Sequence, residues 1–232
     1  MIRAGILEAM QLLLRLDASV IDAATRSLWI SIVAVIAATV VGISVGLLVA
    51  RKRFPGRSLL VLLLRVGMSV PTVLIGLLCY GLLSRRGSLG ELELLYTPTA
   101  IILGEFFLAL PIVATLTHGA ITRLDPRAFE TARTLGAGTL QRAVTYLREA
   151  KLAIALAVLT AFSRCFTELG IAMMVGGNIA ERTRTLTTAT ALETARGEFA
   201  SGVAMSLILL SIALLVTLGI AVLSRETVEP AS

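Results

Sequence analysis

Arg164 and Glu168 carry opposite charges four residues apart in a long apolar stretch of this 232-residue chain. A charge near the centre of a bilayer costs roughly 2.5–3.5 kcal/mol on insertion scales, so such a pair calls for an explanation. One interpretation is a neutralised pair on one helix, facing each other at positions i and i+4. A second is a pathway element in which Arg164 offers a positive potential to an anion. A third pairs Arg164 with Glu105, or Glu168 with Arg65.

Other polar side chains also interrupt the apolar segments. Glu105 is expected to pair across helices or to lie near a polar cavity. Arg65 is close enough to the end of its segment to extend its guanidinium into water. His118, the only histidine, is expected to be a hydrogen-bonded packing residue rather than a pH switch. Pro71 and Pro111 are expected to kink their helices.

The sequence lacks the usual motifs for catalysis and metal binding. There is no HExxH, no GxSxG and no phosphate-binding GxxxxGK[ST] pattern. The single histidine leaves little for a metal site, and Cys79 and Cys165 do not have metal-ligand spacing. We therefore predict that this chain has no catalytic residue, no metal and no cofactor. We also predict that it is not an enzyme.

The composition is that of a membrane protein. Hydrophobic residues make up 56% of the chain, charged residues only 16%, and the mean hydropathy is +0.90. The formal charge of +6 does not indicate nucleic acid, because membrane proteins collect Lys and Arg on cytoplasmic loops. We predict an all-α, polytopic membrane protein. Inside lipid the backbone has no water to bond to, and a helix satisfies its own N–H and C=O groups.

Five segments are long and apolar enough to cross a core of about 30 Å. The expected spans are Leu28–Ala50, Ser58–Ser84, Thr97–Thr122, Leu152–Ile179 and Phe199–Ser224.

The loop Arg51–Arg57 contains four basic residues and no acid, which places it in the cytoplasm. Alternation then puts the N-terminus outside and the C-terminus inside. Residues 1–24 are expected to form an amphipathic helix on the outer surface. Residues 25–224 form the transmembrane domain, and residues 225–232 a cytoplasmic tail.

Residues 123–151 form the longest predicted cytoplasmic loop. Asp125 followed by Pro126 is typical of a helix N-cap with proline at the first helical position. This short helix should end at Gly136, where the chain turns and a Cβ is not expected to fit, and a second helix should begin near Thr139. A long ordered loop in a compact protein is usually functional.

Glu130-Thr131-Ala132, followed by Gly136, resembles the EAA-x-x-x-G motif of ABC-importer permeases. In that family the motif forms a coupling helix that enters a cleft on a cytoplasmic ATPase. The resemblance implies that Phe129 and these four residues carry ATPase coupling, and residues 123–151 are therefore called the coupling segment here. The family pattern continues as I-x-L-P, whereas this chain has Tyr-Leu-Arg-Glu from Tyr146 onward.

The later part of the chain sharpens the resemblance. The runs Phe162–Arg164, Glu168–Gly170 and Met174–Ile179 resemble the molybdate, sulfate and tungstate permeases. So does Pro71–Gly76 in the second span. The Leu-Thr-Thr ending of Thr183–Thr188, where molybdate and sulfate permeases tend to have Leu-Pro, looks most like the tungstate permeases.

This resemblance implies the small ABC-importer permease fold and import of an inorganic oxyanion, tungstate before molybdate or sulfate. It also implies an inner-membrane location and several partners: ATPase subunits that bind ATP-Mg, an extracytoplasmic binding protein, membrane lipid and a second permease copy, expected as a homodimer. The pathway or gate candidates are Arg164, Glu168, Asn178, Thr187 and Thr188. The alternative is a secondary anion transporter coupled to an ion gradient, against which the lack of an obvious internal repeat weighs mildly.

Overall fold

The computed structural model describes residues 18–125, 127, 134 and 136–225, with side chains as far as residue 219. Within these residues every regular element is helical. The α-helices are α1 (Ala18–Arg51), α2 (Arg57–Gly67), α3 (Thr72–Leu83), α4 (Pro98–Thr122), α5 (Thr139–Glu149), α6 (Lys151–Phe166), α7 (Leu186–Ala195) and α8 (Phe199–Arg225). A 3₁₀ turn covers Gly90–Leu92, and a π-helical turn covers Ala172–Gly176.

Three of these helices, α1, α4 and α8, are long and apolar enough to cross a membrane unaided. A fourth span results if α2 and α3 are taken together. The fourth expected span, Leu152–Ile179, is divided, because α6 has only 16 residues and is about 24 Å long. The all-helical membrane fold is confirmed, while the count of five spans stays a prediction compatible with it.

The second expected span is not one helix. α2 and α3 meet at an angle of 103°, far more than a kink. Pro71 stands directly before α3 and disfavours helical geometry at the residue preceding it, which ends the first half. Gly67 lets α2 approach α4, since a Cβ there would lie 2.9 Å from Cβ of Pro111. α4 itself continues through Pro111 without a break.

The fold is built around α4, which packs against α1, α2, α3 and α6. The contact between α1 and α4 depends on two glycines one helical turn apart. A Cβ on Gly42 would lie 2.9 Å from Cβ of Val113, and a Cβ on Gly46 would lie 2.7 Å from the carbonyl oxygen of Ala114. Small residues at this spacing let membrane helices approach closely.

Gly46→Val is therefore expected to destabilise the fold by at least about 1–3 kcal/mol, because the added carbons meet backbone that cannot move aside. The yield of monodisperse protein in detergent and its thermal midpoint would measure the effect. Gly81→Val is the matched control, since no atom of the described residues lies within 4 Å of a Cβ at Gly81. Equal losses in the two variants would argue against close α1–α4 packing.

The N-terminal region differs in detail from the expected arrangement. Residues 1–17 of the expected amphipathic helix lie outside the described residues. The boundary expected after residue 24 falls inside α1, which runs unbroken from Ala18 to Arg51. Within this part of α1, Arg26 is buried and forms an ion pair of 2.7 Å with Asp22 one turn earlier in the helix.

Candidate functional site

Arg164 and Glu168 do face each other, with Nη1 of Arg164 2.8 Å from Oε2 of Glu168. They do not share a helix, however, because α6 ends at Phe166. The other oxygen of Glu168, Oε1, accepts a hydrogen bond of 3.2 Å from the backbone N–H of Ile171. Glu168 therefore starts the next helical turn as well as pairing with Arg164. The structure gives neither the Arg164–Glu105 nor the Glu168–Arg65 pairing.

The two partners of this ion pair differ in exposure. The side chain of Glu168 is 2% exposed and that of Arg164 is 44% exposed. Burial of a lone carboxylate is costly, so Glu168 depends on Arg164 and on the Ile171 N–H. The side chain of Arg164, by contrast, is partly exposed at the surface of the chain.

A row of polar side chains extends along one face of α6 and onto Thr167, the residue that follows it. We call this row the polar stripe; it consists of Thr160, Ser163, Arg164 and Thr167. Residues spaced three or four apart share one helix face, and the opposite face is buried in the core. A cation on a lipid-facing surface is costly, so the polar stripe suits a water-filled path or a protein partner.

Thr185, Thr187 and Thr188, here called the threonine cluster, are buried at the start of α7. Thr185 and Thr188 cap each other, with bonds of 2.9 Å from Thr185 N to Thr188 Oγ1 and 3.3 Å from Thr188 N to Thr185 Oγ1. Thr187 Oγ1 donates a hydrogen bond of 2.8 Å to the carbonyl oxygen of Glu168. The structure thus brings Thr187 and Glu168 together, whereas Thr188 faces the interior.

Asn178 lies in a separate turn, with φ of +51°, and its Oδ1 accepts a hydrogen bond of 3.3 Å from Nε of Arg184. The carbonyl oxygen of Arg184 accepts a bond of 3.1 Å from Nη1 of Arg26. The turn is held by Thr183, whose Oγ1 donates to the carbonyl of Gly176 at 2.6 Å. Sequence reasoning missed the roles of Arg26 and Thr183; the i, i+4 spacing of Asp22 and Arg26 was the available signal for the first.

Glu105 is buried in α4, and its Oε2 has no hydrogen-bonding partner among the described residues. Its hydrogen-bonding neighbour is the side chain of Ser31 on α1. No ion pair to Glu105 occurs in the described part of the chain, so the expected cross-helix neighbour is a hydroxyl rather than a cation. The same part contains no cluster of three or more His, Cys, Asp or Glu side chains suited to a metal.

The coupling segment is described only in part. Phe129, Glu130, Thr131 and Ala132 lie outside the described residues, so their expected role stays a prediction. Upstream of them, Oδ1 of Asp125 accepts a hydrogen bond of 2.9 Å from the N–H of Arg127, as expected of an N-cap.

Gly136 has φ of +74°, a left-handed conformation that favours glycine. Among the described residues, no atom lies within 4 Å of a Cβ built at Gly136, so the backbone angle is the reason for glycine that these residues give. The expected lack of room stays a prediction, because residues 128–133 lie outside the described residues. The second helix, α5, begins at Thr139 as expected.

α5 is joined to the end of α1 by Tyr146. The Arg51 guanidinium lies 4.1 Å from the centre of the Tyr146 ring and donates a hydrogen bond to its hydroxyl. Such a contact combines cation–π attraction with a directed hydrogen bond. The departure of the sequence from I-x-L-P therefore provides an anchor between the coupling segment and α1, which sequence reasoning did not foresee.

The fold of the described residues occurs in solved structures of ABC transporters. The chain shares its fold with the structure described as "Inward facing conformations of the MetNI methionine ABC transporter", with a TM-score of 0.75 and 16% identity over 93% of this chain and 99% of that one. A bacterial ABC transporter for import of alginate gives the same TM-score and identity, over 90% of this chain and 80% of that one.

The chain belongs to the family described as "Binding-protein-dependent transport system inner membrane component", whose model matches residues 38–228. The tungstate uptake system permease protein TupB of Campylobacter jejuni is 40% identical, over 90% of this chain and 87% of its own. TupB of Peptoclostridium acidaminophilum is 36% identical, over 97% of this chain and 99% of its own length. The molybdenum transport system permease protein ModB of Escherichia coli is 30% identical, over 88% and 95%.

Family membership confirms the ABC-permease resemblance, the inner-membrane location and the dependence on a binding protein. The relatives are transport permeases, so a transport subunit rather than an enzyme is confirmed. The alternative of a secondary transporter coupled to an ion gradient is set aside by the same family match.

Proposed function

We propose that this chain is the permease of a tungstate importer, with molybdate and sulfate as the next candidates. The observation that carries the proposal is its similarity, over nearly the whole length, to two permeases named for tungstate uptake. The permease named for molybdenum is less similar, at 30% identity. The positive charge of Arg164, on a partly exposed side chain, supports an anionic cargo.

In the proposed assembly two copies of this chain enclose the path, as a homodimer, with the polar stripe facing it. An ATPase docks at the coupling segment, which begins with the capped turn at Asp125 and Arg127. A binding protein delivers the anion to the outer loops, including residues 180–198. The hydrogen bond between Asn178 and Arg184 holds the turn at the start of this loop. Lipid covers the exposed apolar surfaces of the outer helices.

The test is uptake by the reconstituted permease, ATPase and binding protein in proteoliposomes. ATP-dependent accumulation of tungstate should exceed that of molybdate and sulfate when each is supplied at the same concentration. Preferential uptake of molybdate or sulfate would mean that this anion, and not tungstate, is the cargo. Uptake driven by an ion gradient without ATP would contradict an ATPase-driven importer.

A topology experiment tests the proposed orientation, which rests on the basic loop Arg51–Arg57. A reporter fused after Ser232 should be cytoplasmic, and Ser88→Cys should react with an impermeant reagent in intact cells. Ser88 is suitable because it is exposed, whereas a side chain at the neighbouring Gly87 would lie 2.2 Å from the carbonyl oxygen of Gly81. Labelling of Ser88→Cys only after permeabilisation would reverse the orientation.

A further inference from the structure

A cavity of about 440 Å³ lies between α2, α4 and α6, and we call it the basic cavity. Its polar lining consists of Arg65, Thr115, His118, Arg123 and Thr160. Arg65 comes from the last turn of α2, and Arg123 from the residue that follows α4. The basic side chains thus come from two elements and converge on one space.

The basic cavity carries an excess of positive charge. No lining residue is acidic, and within the described part of the chain neither Arg65 nor Arg123 forms an ion pair. Arg57 adds a further cation, with Nη2 3.5 Å from Nε2 of His118. Several cations around one space repel one another, so an anion between them would relieve the repulsion.

The hydrogen-bonding groups of the basic cavity also suit an anion. The hydroxyl of Thr115 is buried and has no partner among the described residues. Arginine presents a planar fork of N–H donors that matches the oxygens of an oxyanion. A tetrahedral oxyanion could therefore accept bonds from the guanidinium groups and from this hydroxyl, whereas a cation or an apolar ligand would leave the donors unpaired.

The position of the basic cavity relates it to transport. Thr160 lines the cavity and also belongs to the polar stripe, so the two features are continuous. The other α6 residues that line the cavity, Ala153, Leu156 and Ala157, lie in the half of α6 that adjoins the coupling segment. The cavity therefore lies at the ATPase-facing end of the stripe.

We propose that the basic cavity is a binding site for the transported oxyanion on the permease itself, occupied just before release into the cytoplasm. This inference rests on the proposed import of an oxyanion. Arg65 and Arg123 are exposed, which keeps the bound anion in contact with water and the binding weak. Weak binding suits a transport site, because the anion must leave as well as enter.

The experiment is a calorimetric titration of the purified permease in detergent with sodium tungstate. Wild type should show saturable binding, and the double variant Arg65→Gln with Arg123→Gln should lose at least about tenfold in affinity, since each charged hydrogen bond contributes roughly that factor. The control, Arg53→Gln with Arg148→Gln, removes the same charge from exposed positions outside the cavity and should bind as wild type does.

A second variant tests the site even if the arginine double variant misfolds. Thr115→Val keeps every charge and the shape of the side chain, and should weaken tungstate binding by roughly tenfold. No saturable binding to wild type, or equal affinity in all variants, would overturn the site. Displacement of tungstate by phosphatidylglycerol, but not by molybdate or sulfate, would identify a lipid phosphate as the occupant and also overturn it.

Uptake by the reconstituted wild-type transporter separates this inference from the proposed function. ATP-dependent tungstate uptake without tungstate binding to the permease would overturn the site alone. Absence of ATP-dependent uptake of any of the three oxyanions would overturn the proposed function, whatever the permease binds.

Discussion

Arg164→Ala is expected to reduce the recovery of folded permease several-fold, because it leaves the carboxylate of Glu168 buried without its cation. Breaking a buried ion pair costs about 3–5 kcal/mol, and the partial exposure of Arg164 places this case toward the lower end. The carboxylate also accepts a hydrogen bond from the Ile171 N–H. A shift of the unpaired carboxylate would therefore disturb the turn that follows α6. Size-exclusion chromatography and the thermal midpoint in detergent would measure the change.

The double variant Arg164→Gln with Glu168→Gln should recover much of this stability, since the glutamine oxygen can still accept the Ile171 N–H. Its tungstate uptake should remain low, because the polar stripe has lost its only charge. Arg196→Ala is the matched control: its ion pair with Glu193 is 3.1 Å long and leaves Arg196 59% exposed. Such surface pairs contribute about 0–1 kcal/mol. Normal folding of Arg164→Ala with loss of uptake would contradict the structural role and leave only the pathway role.

Gly136→Val is expected to separate transport from membrane insertion. Gly136 has φ of +74°, and a left-handed conformation costs roughly 1–2 kcal/mol for a residue with a Cβ, more for a β-branched one. Because the spans do not depend on this turn, the protein should insert normally. Docking of the ATPase should weaken about tenfold, as should ATP hydrolysis stimulated by the binding protein.

Two controls make this second experiment specific. Gly136→Asn should retain most activity, since asparagine tolerates the left-handed region. Gly197→Val introduces the same strain, at φ of +85°, in the turn between α7 and α8. Because this turn belongs to the outer loop proposed to face the binding protein, the control applies only to docking of the ATPase, which it should leave unchanged. Glu130→Ala, in the part of the coupling segment outside the described residues, should also weaken docking. Full assembly and hydrolysis in Gly136→Val would mean that the segment is only a connector.

The sequence predicted those features that depend on local pattern. Apolar runs indicated the membrane class, Asp125 indicated the capping hydrogen bond that it accepts from the Arg127 N–H, and the four-residue spacing indicated the contact between Arg164 and Glu168. Each of these depends on interactions between residues close together in the chain. The family resemblance likewise depended on short runs of residues.

The features that the sequence did not reveal depend on contacts between distant residues. Pro71 signals a break in a helix, but the 103° angle is set by packing of α2 and α3 on different parts of the core. The bond between Arg26 and the Arg184 carbonyl joins residues far apart in the chain. The basic cavity likewise exists only because α2 and α4 bring Arg65 near His118 and Arg123.

The length of α1 has a mechanical consequence. Its 34 residues extend about 51 Å, well beyond a hydrocarbon core of about 30 Å, so the helix must tilt or project from the membrane. Arg26, near one end, holds the turn that contains Arg184, and Arg51, at the other, holds Tyr146 of the coupling segment. These anchors are about 38 Å apart on one uninterrupted helix. A tilt of this helix would displace both anchors at once, so a movement of the coupling segment would reach the turn at Arg184 through a single element.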